Sequence, residues 1–193
     1  MQSEENSTTE RLLGFNRRLL DQALAVVDGH AVSGAPPYAG PVGAHLRHVV
    51  EHYEALVRGL PRGEIDYDGR PRDRELEANP ALARTRLLAL RQALCAWTPD
   101  TMNRPVQVLG LVGFAGEFDF RAISSVGREL VFLASHAVHH FALLADHLQR
   151  HGVPVPAHFG KAPGTVANEI ATRRAAAPSA HQELSCLSLS HPA

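Results

Sequence analysis

The run "SHAVHHFALLADHL" (135–148) sets His136, His139, His140 and His147 among Ala, Val, Phe and Leu. Imidazoles in an apolar setting need partners for both ring nitrogens. His136 and His140 stand one helical turn apart, with Cβ atoms about 6 Å from one another. Two imidazoles so placed can share one metal ion at about 2.0–2.1 Å per Zn–N bond. Upstream, "GAHLRHVVEHYEAL" (43–56) puts His45, His48 and His52 at i, i+3 and i+7 on one helix face. His48 and the 136/140 pair lie near the middles of their helices, so packing those helices brings the three to one depth. Three neutral imidazoles leave a divalent ion largely uncompensated and at least one coordination position open, as in catalytic rather than structural sites.

Other readings of the same histidines stay open. An H-x-x-x-H pair alone is a weak signal in a chain with twelve histidines; the facing set on a second helix is what strengthens it. His45 or His52 could close the site as a fourth ligand, or all could pack as a metal-free polar network. His139 points partly away from the 136/140 pair and reads as a neighbour or core residue. His147 and His151, at a helix end, read as solvent-facing groups that favour the helix dipole.

A metal site also needs a base and substrate anchors. Glu129, seven residues before His136, is a general base, a support for a ligand, or a first-turn carboxylate favoured by the dipole. Glu51 beside the histidine face has the same open readings, with a surface role the default. The stretch "IDYDGRPRD" (65–73) offers Asp66, Asp68, Arg70 and Arg72. These pair in solvent, or form a lid in which Arg70 and Arg72 bind the carboxylates of a substrate or of a thiol cofactor. Cys95, between apolar neighbours, reads as inert core.

Four long helices are predicted to carry these groups. The first follows the capping-box spacing of Ser7 and Glu10 and runs to Gly29, with an apolar stripe of Leu12, Phe15, Leu19, Leu20, Ala23, Leu24 and Val27. The second spans 41–60 with Pro41 in its first turn. The third begins at Asn79 and Pro80, carries Ala83, Leu87, Leu90, Leu94 and Trp97, and stops before Pro99. The fourth is capped by Ser124 or Ser125 and runs to Arg150. Between the second and third lies a long charged loop, 61–80, with room for a short turn of helix; loops of this length in small domains are uncommon without a function. Residues 105–123 alternate around a glycine-rich turn and suggest a small hairpin. A short helix is expected at 165–174. The fold class is therefore all-α, a four-helix bundle, with one domain over 1–174 and a disordered tail over 175–193.

Composition narrows the function further. With a net charge of −1 and 45% hydrophobic residues the chain reads as an ordinary globular domain. No basic stripe interleaved with aromatics points to nucleic acid, and no run of about 18 apolar residues points to a membrane span. Cys95 and Cys186 give neither a disulfide framework nor a thiolate cluster. The polar N-terminus is unlike a targeting peptide, which makes the cytoplasm the default compartment.

The segments "PVGAHLRHVVEHYEALVRGL" (41–60) and "SSVGRELVFLASHAVHHFALLADHL" (124–148) resemble the DinB/YfiT-like superfamily of helical-bundle metalloenzymes. Gly43 in a V-G step, with His48 five residues on, matches one family element. His136 and His140 within "HAVHH" match the other. The resemblance covers roughly 10–165. It implies an up-down-down-up bundle with a divalent transition metal (Zn, Ni or Fe) held by His48, His136 and His140, in proteins that are often homodimers. It also implies a small-molecule substrate and either hydrolysis or transfer using a low-molecular-weight thiol. A non-catalytic metal-binding or stress-response bundle is the alternative. The family's usual R-G-Q after the last histidine is replaced by Phe141-Ala142-Leu143, which sets this chain apart from the best-known branch.

Overall fold

A computed structural model describes residues 2–32 and 37–176. The chain divides into two compact units, 1–160 and 161–193. The first unit holds α1 (Gln2–His30), α2 (Pro41–Gly59), a 3-10 turn (Leu60–Arg62), β1 (Glu64–Asp66), α3 (Arg74–Ala78) and α4 (Pro80–Cys95). It continues with α5 (Pro99–Asn103), β2 (Pro105–Val112), β3 (Phe118–Ser125) and α6 (Val126–Arg150). In the second unit α7 (Pro163–Ala176) is tied at its start by Lys161, whose Nζ lies 2.8 Å from Glu169. Ala175 and Ala176 of the expected tail close this helix; the tail from 177 onward lies outside the described residues.

Helices dominate, and the four long ones are those the periodicity marks. Helix α1 packs on α4 and α6, and α2 packs on the same two, so each long helix touches two others. Their apolar stripes meet in one core, with Leu20, Leu46, Leu56, Leu87, Leu94, Leu130, Leu133 and Phe141 fully buried. The caps expected for α4 and α6 are in place. Asn79 accepts from the amides of Ala81 and Leu82 at 3.0 and 3.1 Å, and Ser125 from that of Arg128 at 3.2 Å. Among the described residues, no helix is long and apolar enough to cross a membrane.

Several expectations need correction. The all-α reading is incomplete: β1, β2 and β3 form a mixed sheet, β1 parallel to β2 and β2 antiparallel to β3. The hairpin was legible from its alternation. Strand β1 was not, because its one apolar residue, Ile65, gains its strand conformation only from pairing with Val108. The 61–80 segment has the short helical turn it allowed for, as a 3-10 turn and α3, and strand β1 besides. Helix α1 starts at Gln2, and Ser7 lies inside it; a local capping signal does not end a helix that can continue through it. Asn16, also on α1, is fully buried, accepting from the Tyr53 hydroxyl at 2.7 Å and donating to the Leu12 carbonyl at 3.0 Å.

Two glycines let α2 lie close against backbone at both ends. A Cβ at Gly43 would stand 1.9 Å from the Glu77 carbonyl oxygen, and one at Gly59 would stand 2.2 Å from that of Glu64. Gly43, singled out by its V-G step, is thus where α2 seats on α3. Gly43→Ala should destabilise the protein by about 2–3 kcal/mol, the usual cost of overpacking. Denaturant unfolding measures this, and a loss below about 0.5 kcal/mol would show that the close approach is not kept in solution.

Candidate metal centre

Helix α2 carries its histidines on the face turned toward α6, because Leu46, Val49, Val50 and Tyr53 claim the neighbouring positions for the core. Helix α6 answers with His136 and His140. One ligand nitrogen from each of His48, His136 and His140 lies within 4.8 Å of the others, a set of donors that could hold a metal ion. Ring centroids are 4.5 Å apart for His48–His140, 4.6 Å for His136–His140 and 5.0 Å for His48–His136. His136 Nε2 is buried and has no hydrogen-bond partner. An orphaned ring nitrogen is costly in a core, and a bound ion would satisfy it.

The neighbouring histidines belong to the same cluster. His52 packs 4.2 Å from His48 and 4.3 Å from His136, centroid to centroid. Its Nδ1 lies 2.7 Å from the His48 carbonyl oxygen, so Nδ1 carries the proton and Nε2 keeps its lone pair. His45 Nδ1 lies 2.8 Å from His140 Nδ1. If His140 is the donor in that pair, its Nε2 is left for a metal. His139 sits with its ring 5.4 Å from His140, edge to face. His147 and His151 end α6 as expected, with His151 Nδ1 2.8 Å from the His147 carbonyl oxygen.

Burial is the first cause that lowers the imidazole pKa values, and positive neighbours add to it. His48 is pushed down to about 2, with His52, Arg70, His140 and His136 contributing after burial. His52 falls to about 3 and His140 to about 4. His45 and His136 are lowered for the same leading reason. All are neutral at pH 7, the state in which imidazole ligates.

Arg70 is brought to the cluster, and Arg72 is not. Strand β1 runs directly into the turn at 66–70. There Asp66 accepts from the Asp68 and Gly69 amides at 2.9 and 2.8 Å, and Asp68 accepts from the Leu111 amide at 2.8 Å. The two acids thus build the turn instead of pairing with arginines. The turn aims Arg70 inward, where Nη1 stands 3.1 Å from His48 Nδ1 and 3.8 Å from Glu51 Oε2, while Nε donates to the Tyr67 carbonyl. Arg72 is exposed, with φ at 53° and its guanidinium on the Arg70 carbonyl. Glu51, expected at the surface, is fully buried and also accepts from the Asp73 amide at 2.7 Å. Its place three residues after His48 was the available signal. Cys95, expected in the core, is exposed, since α4 turns that side outward at its last residue.

Glu129 lies outside the histidine cluster. Its Oε2 accepts from Tyr67 at 2.9 Å and its Oε1 from Ser124 at 2.6 Å. It lines a cavity of about 440 Å³ between the hairpin and α6. Tyr67 and Phe132 also line it, and their other faces stack on His52 and His136 at 5.6 and 5.5 Å. Two aromatic rings are therefore the wall between cavity and cluster. Tyr67 had no signal in a charged segment. Phe132 had one, its i, i+4 spacing to His136.

No family model matches this chain. No solved structure matches it. Over 102 residues it is 28% identical to FK506-binding protein 5 of Rhizopus delemar, a stretch covering 53% of this chain and 26% of that protein. The chain thus spans about a quarter of that relative's length, and neither family nor activity passes across so partial a likeness.

The Arg70 contact sets a condition on metal binding. Arginine only donates, so His48 Nδ1 accepts and its Nε2 carries the ring hydrogen. Ligation through either nitrogen requires Arg70 to release His48. Arg70→Ala should raise Zn²⁺ or Co²⁺ affinity at least about tenfold by removing a competing cation. It should also cost about 3 kcal/mol of stability by leaving Glu51 buried and unpaired. Calorimetric titration with metal, beside thermal unfolding, reads both, and an unchanged or weaker affinity would remove Arg70 as a competitor.

Acid should act on the same cluster. These histidines have folded pKa values below the unfolded value of 6.5. On acidification the unfolded chain therefore takes up protons before the folded chain does. The stability present above pH 6.5 is lost progressively as pH falls toward about 4 and lower. Metal-free protein should show a Tm that drops between pH 7 and 5, with a shallower drop in His52→Gln. A Tm flat over that range would mean the cluster is solvated.

Proposed function

We propose that this chain is a metal-dependent enzyme of the DinB/YfiT-like type, with His48, His136 and His140 holding one divalent transition ion, Zn, Ni or Fe. The observation that carries this reading is that one ring nitrogen from each of His48, His136 and His140 lies within 4.8 Å of the others, with His136 Nε2 buried and without a hydrogen-bond partner. The ring of four long helices, with the 60–79 connection between α2 and α4, is in keeping with the up-down-down-up bundle of that superfamily. A bound ion would supply Lewis acidity, turning water or a low-molecular-weight thiol into a nucleophile near neutral pH. The reaction is thus hydrolysis or thiol-dependent transfer on a small molecule.

The chain's own residues have distinct tasks in this reading. Tyr67 and Phe132 line the cavity and stack on His52 and His136, so they would hold the apolar part of a substrate beside the cluster. Arg70, once released from His48, offers a guanidinium to a carboxylate of the substrate or thiol. Glu129, hydrogen-bonded to Tyr67 and Ser124, fixes the Tyr67 ring and is the carboxylate on hand to accept a proton in the cavity. The second reading, a non-catalytic metal-binding bundle, is favoured by His52, whose Nε2 lone pair is free to close the coordination shell.

The test is elemental analysis of protein purified without a metal-affinity tag, beside His48→Ala and His136→Ala/His140→Ala. About one equivalent of metal in the wild type, lost in both variants with the helical circular dichroism retained, is the expected result. Screens for thiol transfer and hydrolysis then separate the reactions. Metal-free protein that takes up none of Zn²⁺, Ni²⁺ or Fe²⁺ would overturn the reading.

A further inference from the structure

Strand β3 is an edge of the three-stranded sheet, and it exposes apolar side chains where a free edge is usually polar. Phe118 is 66% exposed and Ile123 81%, and Phe114 at the hairpin tip stands clear of the protein. Such a strand invites a partner.

The hydrogen-bond parity says which atoms are on offer. The Gln107 amide donates to the Gly63 carbonyl at 2.8 Å and the Leu111 amide to Asp68 at 2.8 Å, so odd-numbered residues of β2 face β1. The Val126 amide donates to the Arg104 carbonyl at 3.1 Å, so even-numbered residues of β2 and β3 bond each other. Asp119, Arg121 and Ile123 therefore turn their backbone N–H and C=O groups to the open edge. An antiparallel partner must match odd residues with odd residues.

Charge then selects one register for a second copy. Centred on Asp119, the pairing sets two carboxylates face to face; centred on Arg121, it sets two guanidiniums face to face. Centred on Phe120, it sets Asp119 of each copy opposite Arg121 of the other, twice by symmetry. In that register Phe120 meets Phe120 and Phe118 meets Ala122. These are on the face that lines the cavity, where Phe120 and Ala122 already form part of the wall. Gly110 is what makes room there, since a Cβ on it would stand 2.3 Å from the Phe120 ring. Arg121 is held on the opposite face by Gln107 Oε1 at 3.0 Å.

We propose that two copies of this chain pair antiparallel through β3, centred on Phe120, into one six-stranded sheet whose register is fixed by two Asp119–Arg121 contacts. Each copy then places Phe118 beside the other's cavity wall, so the cavity is completed by dimerisation.

The experiment is sedimentation of the full chain across about a hundredfold concentration range, for wild type, Asp119→Arg, Arg121→Asp and the double variant. The wild type should dimerise, and each single variant should weaken dimerisation at least about tenfold, since like charges oppose each other at both contacts. The double variant should recover the homodimer. An equimolar mixture of the two single variants should form a heterodimer, because both contacts then pair opposite charges. That rescue also shows that the single variants are folded. A wild type that stays monomeric, because another segment of the chain covers β3 or because nothing does, overturns the proposal. So do single variants that dimerise like wild type, which would place the interface on another surface, and a mixture that fails to associate.

Discussion

One buried carboxylate holds the site in its arrangement. Glu51 is fully enclosed on α2, one turn from His48, and its charge must be met inside the protein. It is met by Arg70 and by the Asp73 amide, both from the segment that follows β1. A buried ion pair contributes little net stability, but losing either partner is costly. The pair therefore acts mainly as a constraint. It ties the 67–73 backbone to α2, sets Tyr67 against His52, and brings a guanidinium to His48. Without it the charged segment would have no reason to cover the histidines.

The sheet exists to serve the same constraint. Strand β1 has three residues and one buried side chain, too little to stand alone. It is stabilised by lying parallel to β2, which is paired along its length with β3 and anchored through Ser125 to the first turn of α6. The hairpin thus connects the helix that bears His136 and His140 to the segment that bears Tyr67 and Arg70. Asp68, reaching the Leu111 amide, adds a second tie. The three histidines that could hold an ion sit on helices, while Arg70 and Tyr67 sit on a turn held by hydrogen bonds. That division suits a site that binds and releases.

What the sequence disclosed follows the range of each signal. The core stripes of α2, α4 and α6, the Asn79 and Ser125 caps and the hairpin are local patterns, and each is in the structure. His48, His136 and His140 were legible because helical spacing translates directly into a shared face. Glu51 and Asn16 were misjudged or missed because a polar residue's burial depends on a partner far along the chain, Arg70 for one and Tyr53 for the other. Strand β1 and Tyr67 had no local pattern at all. Cys95 shows the opposite error: apolar neighbours in sequence are not neighbours in space at a helix end.

The cluster also explains why so many histidines are needed around three ligands. A neutral imidazole has one donor and one acceptor, and a ligand must keep its acceptor for the metal. Something else must then take the donor. On His52 the donor goes to the His48 carbonyl, a contact that the i, i+4 spacing within α2 supplies. On His140 it has a partner in His45, which α2 presents one turn before His48. The choice on His52 is made by helix geometry; in the His45–His140 pair either ring can be the donor. His48 is the exception, because its Nδ1 accepts from a cation instead. The one ring whose tautomer opposes ligation is thus also the one touched by the Arg70 guanidinium, so displacing Arg70 would free the His48 Nδ1 lone pair.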